Sequence, residues 1–308
     1  MNTKKNTAVL LATYNGSKYI EEFLLSLENQ IYKNFDLICI DDLSTDETLN
    51  IIKGFEDKLN IIYIENKIKL GAAGAFFTLL EKSEDFYDYY LFADQDDVWD
   101  KEKIYRSVIA LEKMATNKPN LYAHRLELVD ESLSHLSYAK IPKYISFENA
   151  LVQNIFPGCT MAFNKKAKKL VAGKTPNSKY IMHDWWLYVL VSAIGNVTYD
   201  RQSLIKYRQH DSNTVGMASN FFSEYKIRLD RFFKDNKQGV FGIAHQANYF
   251  FDIYKEDISK NDLKTVKRLL ENNKFFLNRL YMFFFTKLKR QTFMDNLILR
   301  IILLIGRY

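Results

Sequence analysis

The sequence predicts an α/β fold in which a sheet is covered by helices on both faces, followed by an all-helical C-terminal region. Short, almost wholly apolar runs alternate with amphipathic runs from residue 7 to about residue 128, which is typical of strands buried between helical layers. The pattern becomes wholly helical after Gly216. The 308 residues are 47% hydrophobic and include only four prolines, which suits one large core or a core with an appendage.

Five strands and four helices are predicted in the first part of the chain. The strands are expected at Thr7–Ala12, Asp36–Asp41, Asn60–Glu65, Tyr89–Ala93 and Leu121–Leu128, and the helices at Ser17–Gln30, Thr45–Lys58, Gly71–Lys82 and Lys101–Asn117. Because strands and helices alternate, we expect a parallel sheet. Ser44 and Glu47 have the spacing of a capping box for the second helix.

The pattern is mixed from Ile141 to Asp211 and helical thereafter. The mixed part predicts strands at Cys159–Asn164 and Ser203–Tyr207 and a helix at Asp184–Ile194, and the last part predicts helices at Asn220–Lys234, Val240–Tyr254, Lys260–Lys289 and Asp295–Ile305. We therefore predict two domains, residues 1–215 and 216–308.

The net charge of +6 lies in the C-terminal tail. Residues 274–308 contain seven basic residues and one acid, Asp295, so the rest of the chain is neutral and no nucleic-acid partner is expected. The longest apolar runs there, Leu280–Phe285 and Ile301–Ile305, are far shorter than the ~20 residues of a membrane-spanning helix. We expect the aromatic and basic tail to lie on an anionic membrane surface. The alternative is that its aromatic residues pack against the first domain or a second subunit, as a homo-oligomer would require.

The N-terminus and the cysteines indicate a cytosolic protein. Met1–Asn6 is polar and does not resemble a signal peptide. Cys39 and Cys159 provide neither a disulfide framework nor metal-ligand spacing.

The strongest chemical signal is the segment Phe92–Trp99, where an aromatic strand ends in three carboxylates within four positions. Asp94 and Asp96 are two residues apart, so an extended backbone would direct both to one side and Asp97 to the other. Two oxygen ligands on one side suit Mg²⁺ or Mn²⁺, with a substrate diphosphate completing the coordination. The alternative is an acidic loop that caps the helix beginning near Lys101.

The first strand ends in Thr13, Tyr14, Asn15 and Gly16. The G-x-G-x-x-G motif of a dinucleotide-binding fold is missing here, which disfavours a dehydrogenase. Polar Thr13 and Asn15 beside a flexible glycine could receive a nucleotide, although a simple turn explains them equally well.

The next two strands also end in groups that a nucleotide could contact. The carboxylate of Asp42 could accept a hydrogen bond from the ring N–H of uracil or thymine, although Ser44 and Asp46 beside it suggest helix capping. The small residues after Lys69 would let backbone N–H groups approach an anion, or would simply allow close packing of helix and sheet.

Two further polar clusters follow. Asp184 stands beside Trp185 and Trp186 at the start of a helix, where a carboxylate is either an N-cap or a base that deprotonates a sugar hydroxyl held by the aromatic pair. Arg208 could bind phosphate, and His210 could bind a metal or a phosphate oxygen, although a single histidine is often structural.

Taken together, four motifs resemble those of family 2 inverting glycosyltransferases with the GT-A fold. The motifs are Ala12–Gly16, Asp41–Asp46, Asp94–Asp97 and His183–Trp186, in the order of the family and over roughly residues 7–215. The extended form, Phe92–Trp99, is most similar to bacterial rhamnosyltransferases of surface polysaccharide synthesis. One departure is that Lys69–Gly74 lacks the arginine that many relatives carry.

The resemblance implies a Rossmann-like, GT-A-type catalytic domain over residues 1–215 that binds a nucleotide sugar. It assigns contact with the base to Asp42, sugar and metal binding to Asp94 and Asp96, and diphosphate binding to His210. Asp184 would be the catalytic base. The other expected contacts are Thr13, Tyr14, Asn15, Lys69, Gln95 and Arg208 with the donor, Trp185 and Trp186 with the acceptor, and His210 with the metal.

The implied reaction is metal-dependent, inverting transfer of L-rhamnose from dTDP-L-rhamnose to a hydroxyl of a glycan, expected to be lipid-linked and reached at the inner face of the cell membrane. The alternative donor is a UDP-hexose. Processive synthases of the wider family carry a Q-x-x-R-W motif and transmembrane spans, which this sequence lacks, so one sugar is expected per reaction. Two other functions are alternatives. A nucleotidyltransferase is disfavoured because it would need a basic, glycine-rich loop after the first strand, which this sequence lacks. A non-catalytic sugar-binding module is disfavoured because it would not need the acidic residues.

Overall fold

The computed structural model describes residues 5–176, 181–209, 243–272 and 275–306. Within these residues, nine strands form one sheet, in the order β3-β2-β1-β4-β8-β6-β9-β5 with β7 paired to β6. The strands are β1 (Thr7–Thr13), β2 (Phe35–Asp41), β3 (Ile61–Ile64), β4 (Tyr89–Ala93), β5 (Val98–Trp99), β6 (Asn120–Val129), β7 (His135–Tyr138), β8 (Met161–Asn164) and β9 (Asn196–Arg208).

The sheet is parallel only in part. β1 pairs in parallel with β2 and β4, and β2 pairs in parallel with β3, as predicted. The parallel arrangement predicted for the alternating region does not extend to the whole sheet, because β8 inserts antiparallel between β4 and β6 and β5 pairs antiparallel with β9. The alternation of strand and helix ends before β8, so it could not reveal this insertion.

Eleven α-helices lie in the described part of the chain. They are α1 (Ile20–Glu28), α2 (Thr48–Lys53), α3 (Gly71–Lys82), α4 (Lys103–Glu112), α5 (Phe147–Ala150), α6 (Lys165–Val171), α7 (His183–Ile194), α8 (Ile243–Tyr254), α9 (Lys260–Glu271), α10 (Phe276–Phe285) and α11 (Phe293–Ile305). The predicted helix Asn220–Lys234 and the predicted boundary near residue 215 lie outside the described residues.

Two helix predictions are wrong. The capping box does not form, because α2 begins only at Thr48, whose backbone N–H donates to Asp46 Oδ1 at 3.1 Å. The single helix predicted over Lys260–Lys289 is instead two helices. The first, α9, is followed by a buried C-cap residue, Asn272, whose side-chain amide donates to Leu303 O at 2.7 Å. A contact with a distant helix therefore replaces local helix continuation.

Apolar side chains cover both faces of the sheet. Along β1, Ala8 and Leu10 join one buried cluster, whereas Val9 and Leu11 join another. The first cluster also contains residues of the C-terminal helices: Ile243, Ala247, Phe250, Tyr254, Val266, Leu269, Met282, Leu299 and Leu303. The C-terminal helices therefore share a core with the sheet.

The register brings the polar strand ends together. Thr13 is paired with Asp41, and Leu11 is paired with Ala93, the last residue of β4. The loops after β1, β2 and β4 therefore meet at one edge of the sheet, where ligands bind in open α/β folds.

Candidate active site

The loop after β1 is joined to the acidic loop after β4 by Gln95. The backbone N–H of Tyr14 donates to Gln95 Oε1 at 3.0 Å, and Gln95 Nε2 donates back to Tyr14 O at 3.0 Å. A Cβ on Gly16 would lie 2.2 Å from Gln95 Oε1, so only glycine leaves room for this amide. The side chain of Gln95 therefore holds two loops together. Tyr14 contributes only backbone atoms to these two bonds, and the residue is 46% exposed.

The loops after β1 and β2 are held together by Thr13, Asn15 and Asp41. The hydroxyl of Thr13 donates to Asp41 Oδ1 at 2.9 Å, and the backbone N–H of Ser44 donates to Asp41 Oδ2 at 2.7 Å. Asn15, in a left-handed conformation with a φ of 44°, accepts at Oδ1 from the backbone N–H of Thr45 at 2.9 Å. These contacts fix the rim of the site.

Asp42 caps the start of α3. Its carboxylate is buried and accepts from the backbone N–H of Leu70 at 2.7 Å and of Gly71 at 2.8 Å, and from Asn66 Nδ2 at 3.1 Å. Lys69 Nζ donates to Asp42 O at 3.1 Å. This capping role was not predicted.

Lys69 and Tyr14 form an exposed rim beside this cap. The side chain of Lys69 is about half exposed, and its ammonium packs over the ring of Tyr14. A cation and an aromatic face at this edge of the sheet are suited to phosphate and base contacts.

The acidic loop is a turn, not an extended strand. Residues 95–96 turn, and Asp97 folds back so that it is only 1% exposed. One ligand atom from each of Asp94, Asp97 and Cys159 lies within 4.8 Å of the others. The expectation that Asp97 points away from Asp94 is therefore wrong, because strand alternation does not apply to a turn.

Burial and mutual repulsion dominate the electrostatics of this loop. Desolvation and the neighbouring Asp96 and Asp184 raise the pKa of Asp94 to about 7. Burial, with the charges of Asp96 and Asp94, raises the pKa of Asp97 well above its usual value. The carboxylates of Asp184 and Asp94 are therefore close enough for their charges to repel each other, although their positions in the sequence are 90 residues apart.

A buried lysine lies beside the acidic loop. Lys103 Nζ donates to Cys159 O at 2.5 Å and lies 3.6 Å from the centroid of the Trp99 ring. Burial lowers the pKa of Lys103 to about 7, against the attraction of Asp97 and Asp94. The group supplies part of the positive charge that these carboxylates need.

The donor set fits a hard divalent cation. Asp97 Oδ2 is buried and has no hydrogen-bond partner among the described residues, and Asp94 lies beside it. Carboxylate oxygens of this kind are the usual ligands of Mg²⁺ and Mn²⁺. Burial raises the pKa of the Cys159 thiol, so it stays protonated and is a poor ligand.

Asp184 lies in the first turn of α7, close to the acidic loop. It is not the N-cap, a position held by Met182 without a side-chain cap. Its Oδ2 accepts from the backbone N–H of Gly158 at 3.2 Å, and its Oδ1 accepts from that of Trp185 at 2.6 Å. Burial raises its pKa to about 6.

His183 and Gly158 fix the start of α7. The ring of His183 stacks on Phe76 at a centroid distance of 4.0 Å and meets Phe92 edge to face at 4.8 Å. Burial lowers its pKa to about 3, so the ring is neutral. A Cβ on Gly158 would lie 2.8 Å from His183 Nε2, so a larger residue would push α7 away.

The two tryptophans after Asp184 differ. Trp185 is half-buried and its indole N–H donates to Ala150 O at 2.6 Å. Trp186 is fully buried and packs against Tyr249, Phe250 and Tyr254 of α8. Direct contact of Trp186 with an acceptor is inconsistent with this burial.

Arg208 holds the acidic loop and is buried. Its guanidinium pairs with Glu22 and with Glu131 O, and its Nε donates to Asp96 O at 3.0 Å. The same group lies 4.6 Å from the centroid of the Tyr19 ring. A direct phosphate contact is inconsistent with this burial, and His210 lies outside the described residues.

Comparison with known proteins agrees with this geometry. The model of the family described as "Glycosyl transferase family 2" matches residues 8–171. The dTDP-rhamnosyl transferase RfbG of Shigella flexneri is 35% identical over 237 residues, which are 70% of this chain and 77% of that protein.

Solved structures show the same fold. TarS of Staphylococcus aureus (residues 1–349, with UDP-GlcNAc) superposes with a TM-score of 0.54 at 15% identity, over 98% of this chain and 93% of that one. The mannosyltransferase PcManGT of Pyrobaculum calidifontis, with GDP-Man and Mn²⁺, gives 0.52 at 14% identity over 99% and 88%. These likenesses confirm the predicted GT-A fold, and the family model and the rhamnosyl transferase relative show that the chain belongs to glycosyl transferase family 2.

Proposed function

We propose that the chain transfers one sugar, with inversion, from a nucleoside diphosphate donor to a hydroxyl of a glycan, and that the donor is dTDP-L-rhamnose. The observation that carries the proposal is the placement of Asp184, a buried carboxylate whose raised pKa of about 6 leaves it ionised but still basic at neutral pH, in the same electrostatic field as Asp94. The donor is suggested by the 35% identical rhamnosyl transferase. A UDP-hexose is the alternative donor.

Asp184 would act as the general base. Its position is fixed by the backbone N–H groups of Gly158 and Trp185. From there it would take the proton of the acceptor hydroxyl as that oxygen attacks the sugar, a contribution of roughly 10²–10⁴-fold. Attack on the face opposite the leaving diphosphate inverts the anomeric carbon, so no covalent intermediate is needed.

The acidic loop would hold a divalent cation. Asp94 and Asp96 are the ligands proposed from the sequence, and the buried, unpartnered oxygen of Asp97 makes Asp97 a third candidate. When bound, Mg²⁺ or Mn²⁺ would neutralise the charge that develops on the leaving diphosphate. His210, which lies outside the described residues, stays a proposed ligand.

The donor nucleotide would lie along the rim formed by the first three strand ends. Tyr14 offers an exposed aromatic face and Lys69 a half-exposed ammonium. Thr13, Asn15 and Gln95 would act by holding the loops of this rim. Asp42 would influence the base through the loop that it caps at the start of α3.

The acceptor is proposed to be a lipid-linked glycan of bacterial surface polysaccharide synthesis. Trp185, half-buried beside Asp184, is the residue best placed to contact it. The reaction would then take place at the inner face of the cell membrane, where such a lipid is accessible to the enzyme.

This proposal can be tested by measuring the thermal shift that each of a panel of nucleotide sugars causes, with and without Mn²⁺. A ligand at 100 times its dissociation constant adds about 2.7 kcal/mol to stability, which is readily detected. We expect dTDP-L-rhamnose with Mn²⁺ to give the largest shift. A shift in melting temperature with UDP-sugars alone would identify a UDP-sugar as the donor in place of dTDP-L-rhamnose. The absence of a shift with every nucleotide sugar would contradict the proposed glycosyl transfer.

A further inference from the structure

We propose that the surface formed by α9, α10 and α11 docks on an anionic phospholipid bilayer, with an apolar face that enters the interface and a cationic groove that binds a headgroup phosphate. The proposal extends the proposed function, because it says which surface brings the active site to a lipid-linked acceptor. It rests on exposure, helix geometry and charge in the C-terminal region.

The outer face of α11 is an unbroken apolar stripe. Phe293, Leu297, Ile301 and Ile305 recur every fourth residue and are all exposed, Phe293 by 81%. The opposite face, two residues out of phase, is buried through Asp295, Leu299 and Leu303. Such a division places one face of the helix in the protein core and leaves a second, apolar face partly exposed among the residues that the structure describes.

The neighbouring helix α10 repeats this arrangement. Its buried side carries Met282, whereas Leu277 and Phe284 lie on the opposite side and are 78% and 61% exposed. Phe275, Phe276 and Phe285 are also mostly exposed. Exposed apolar side chains scattered singly are ordinary, but an aromatic-rich cluster on two packed helices marks an interaction site.

The hairpin of α10 and α11 is held rigidly in this orientation. The guanidinium of Arg300 bonds to the carbonyl oxygens of Phe283 and Phe284 at the end of α10. Asn149 Nδ2 donates to Lys289 O at 2.8 Å, and Arg290 Nε donates to Val152 O at 3.1 Å. These bonds tie the hairpin to α5 and its following loop, so the exposed face is a fixed feature of the fold.

A cationic groove opens beside the apolar face. It has a volume of about 210 Å³, and its lining includes the cationic Lys264, Arg268 and Lys287 together with Tyr281 and Phe285. The guanidinium of Arg268 lies 4.2 Å from the centroid of the Tyr281 ring, which orients it within the groove. A groove lined by three cations and two aromatic rings suits a phosphate diester whose acyl chains lie against an apolar neighbour.

Charge favours a bilayer over a second copy of the chain. Between positions 260 and 306 there are ten basic residues against three acids, Asp262, Glu271 and the buried Asp295, so a self-complementary dimer through this surface would bring net positive charges together. Anionic lipid instead attracts these cations at ~1 kcal/mol each. No helix in the described part of the chain has the length and apolarity to cross a bilayer, so this surface would lie in the interface.

Co-sedimentation with vesicles tests the proposal. Wild-type protein should pellet with vesicles of phosphatidylglycerol and phosphatidylcholine at low salt, should pellet less at high salt, and should pellet little with phosphatidylcholine alone. Replacing the exposed aromatics (Phe276→Ser, Phe284→Ser and Phe293→Ser together) should reduce binding to background. Reversing the groove charges (Lys264→Glu with Lys287→Glu) should lower partitioning by roughly 30-fold or more, from ~1 kcal/mol per lysine.

Matched controls carry the same changes elsewhere on the surface. Phe86→Ser with Leu136→Ser, and Lys53→Glu with Lys118→Glu, alter exposed residues far from these helices in sequence and should leave binding unchanged. All variants should keep the wild-type melting profile and the wild-type rate of donor hydrolysis in solution, because none lies in the active site.

The outcomes of these experiments decide whether this surface binds a bilayer. Equal vesicle binding by wild type and both surface variants, or none by wild type, would overturn the proposal. A dimer in sedimentation velocity that dissociates in the phenylalanine variant would assign the surface to a second copy instead. Vesicle binding by a protein that hydrolyses no nucleotide sugar would reject the proposed function and leave the docking surface standing.

Discussion

Asp184 is the residue whose environment says most about the chemistry. Its carboxylate is only 8% exposed and lies against two backbone N–H groups, and burial raises its pKa to about 6. A base with this pKa is mostly deprotonated at pH 7 yet holds a proton more strongly than an ordinary aspartate does.

The pH dependence of donor turnover should show this pKa. With Mn²⁺ saturating, we expect kcat/KM for donor hydrolysis to fall about tenfold per pH unit below pH 6, because the protonated carboxyl cannot accept a proton. Above pH 6 the rate should level off. Rates measured from pH 4.5 to 8 provide the test, and a profile that stays flat down to pH 4.5 would contradict the assignment of the base.

Lys103 is a structural support that the sequence could have revealed. The helix period places it next to the buried face of α4, which carries Ile104, Val108 and Leu111. Residue type alone argues against burial at this position, because lysine is rarely buried. Asp97 departs from its predicted orientation for a different reason, because the side-chain alternation of a strand does not hold for residues in a turn.

Replacing Lys103 should lower the free energy of unfolding and leave the acidic loop with more uncompensated negative charge. In Lys103→Met, the carbonyl of Cys159 loses its donor, so we expect a loss of about 1–3 kcal/mol in the free energy of unfolding. Mn²⁺ should restore more stability to this variant than to wild type, because the site is more negative. Denaturant unfolding provides the measurement. Lys113→Met, at the exposed C-cap of the same helix, is the control. Equal free energies of unfolding for Lys103→Met and the wild type would exclude a supporting role for Lys103.

Among the helices and strands, the sequence predicts correctly the bounds that depend on neighbouring residues. The bounds predicted for α3 and β4 are the observed ones, because strong apolar periodicity ends there at polar residues. The sequence predicts the strand β8 but not its antiparallel pairing, nor the break after α9, because these depend on distant partners: β8 on both β4 and β6, and Asn272 on Leu303.

The contact of the Gly158 turn with α7 gives a prediction for an element. In Gly158→Ala, the added Cβ would meet His183 Nε2 and displace the first turn of α7 together with Asp184. We expect kcat to fall at least tenfold with little change in donor binding, because positioning errors of this size are costly. Gly54→Ala, which lies away from the site, should keep wild-type kcat. A Gly158→Ala enzyme with unchanged kcat would show that α7 tolerates the shift.

At the scale of the whole molecule, the C-terminal helices are part of the fold. The predicted division into residues 1–215 and 216–308 stays a prediction, because the segment around the boundary is not described. The shared cluster, however, joins Trp186 of α7 to Phe250 and Tyr254 of α8. A boundary in sequence need not separate two cores.

Truncation should therefore unfold the protein. Ending the chain after Glu271 would remove Met282, Leu288, Leu299 and Leu303 from the core. Each buried side chain of this size contributes roughly 1.5–3 kcal/mol, and the total stability of a domain is about 5–15 kcal/mol. We expect no cooperative thermal transition by circular dichroism. A truncated chain that melts near the wild-type temperature would show that residues 5–271 form a self-sufficient domain.

The stereochemistry of donor hydrolysis tests the proposed inverting mechanism, with Asp184 as its base, without knowledge of the acceptor. Water takes the place of the acceptor hydroxyl, dTDP-L-rhamnose with Mn²⁺ is the substrate, and proton NMR identifies the first anomer released before mutarotation. We expect a released sugar of configuration opposite to that in the donor, and a rate at least about 10²-fold lower in Asp184→Asn, which should still bind the donor. The exposed Asp57→Asn should behave as wild type. Release with retained configuration would exclude an inverting mechanism, and a wild-type rate in Asp184→Asn would exclude Asp184 as the base.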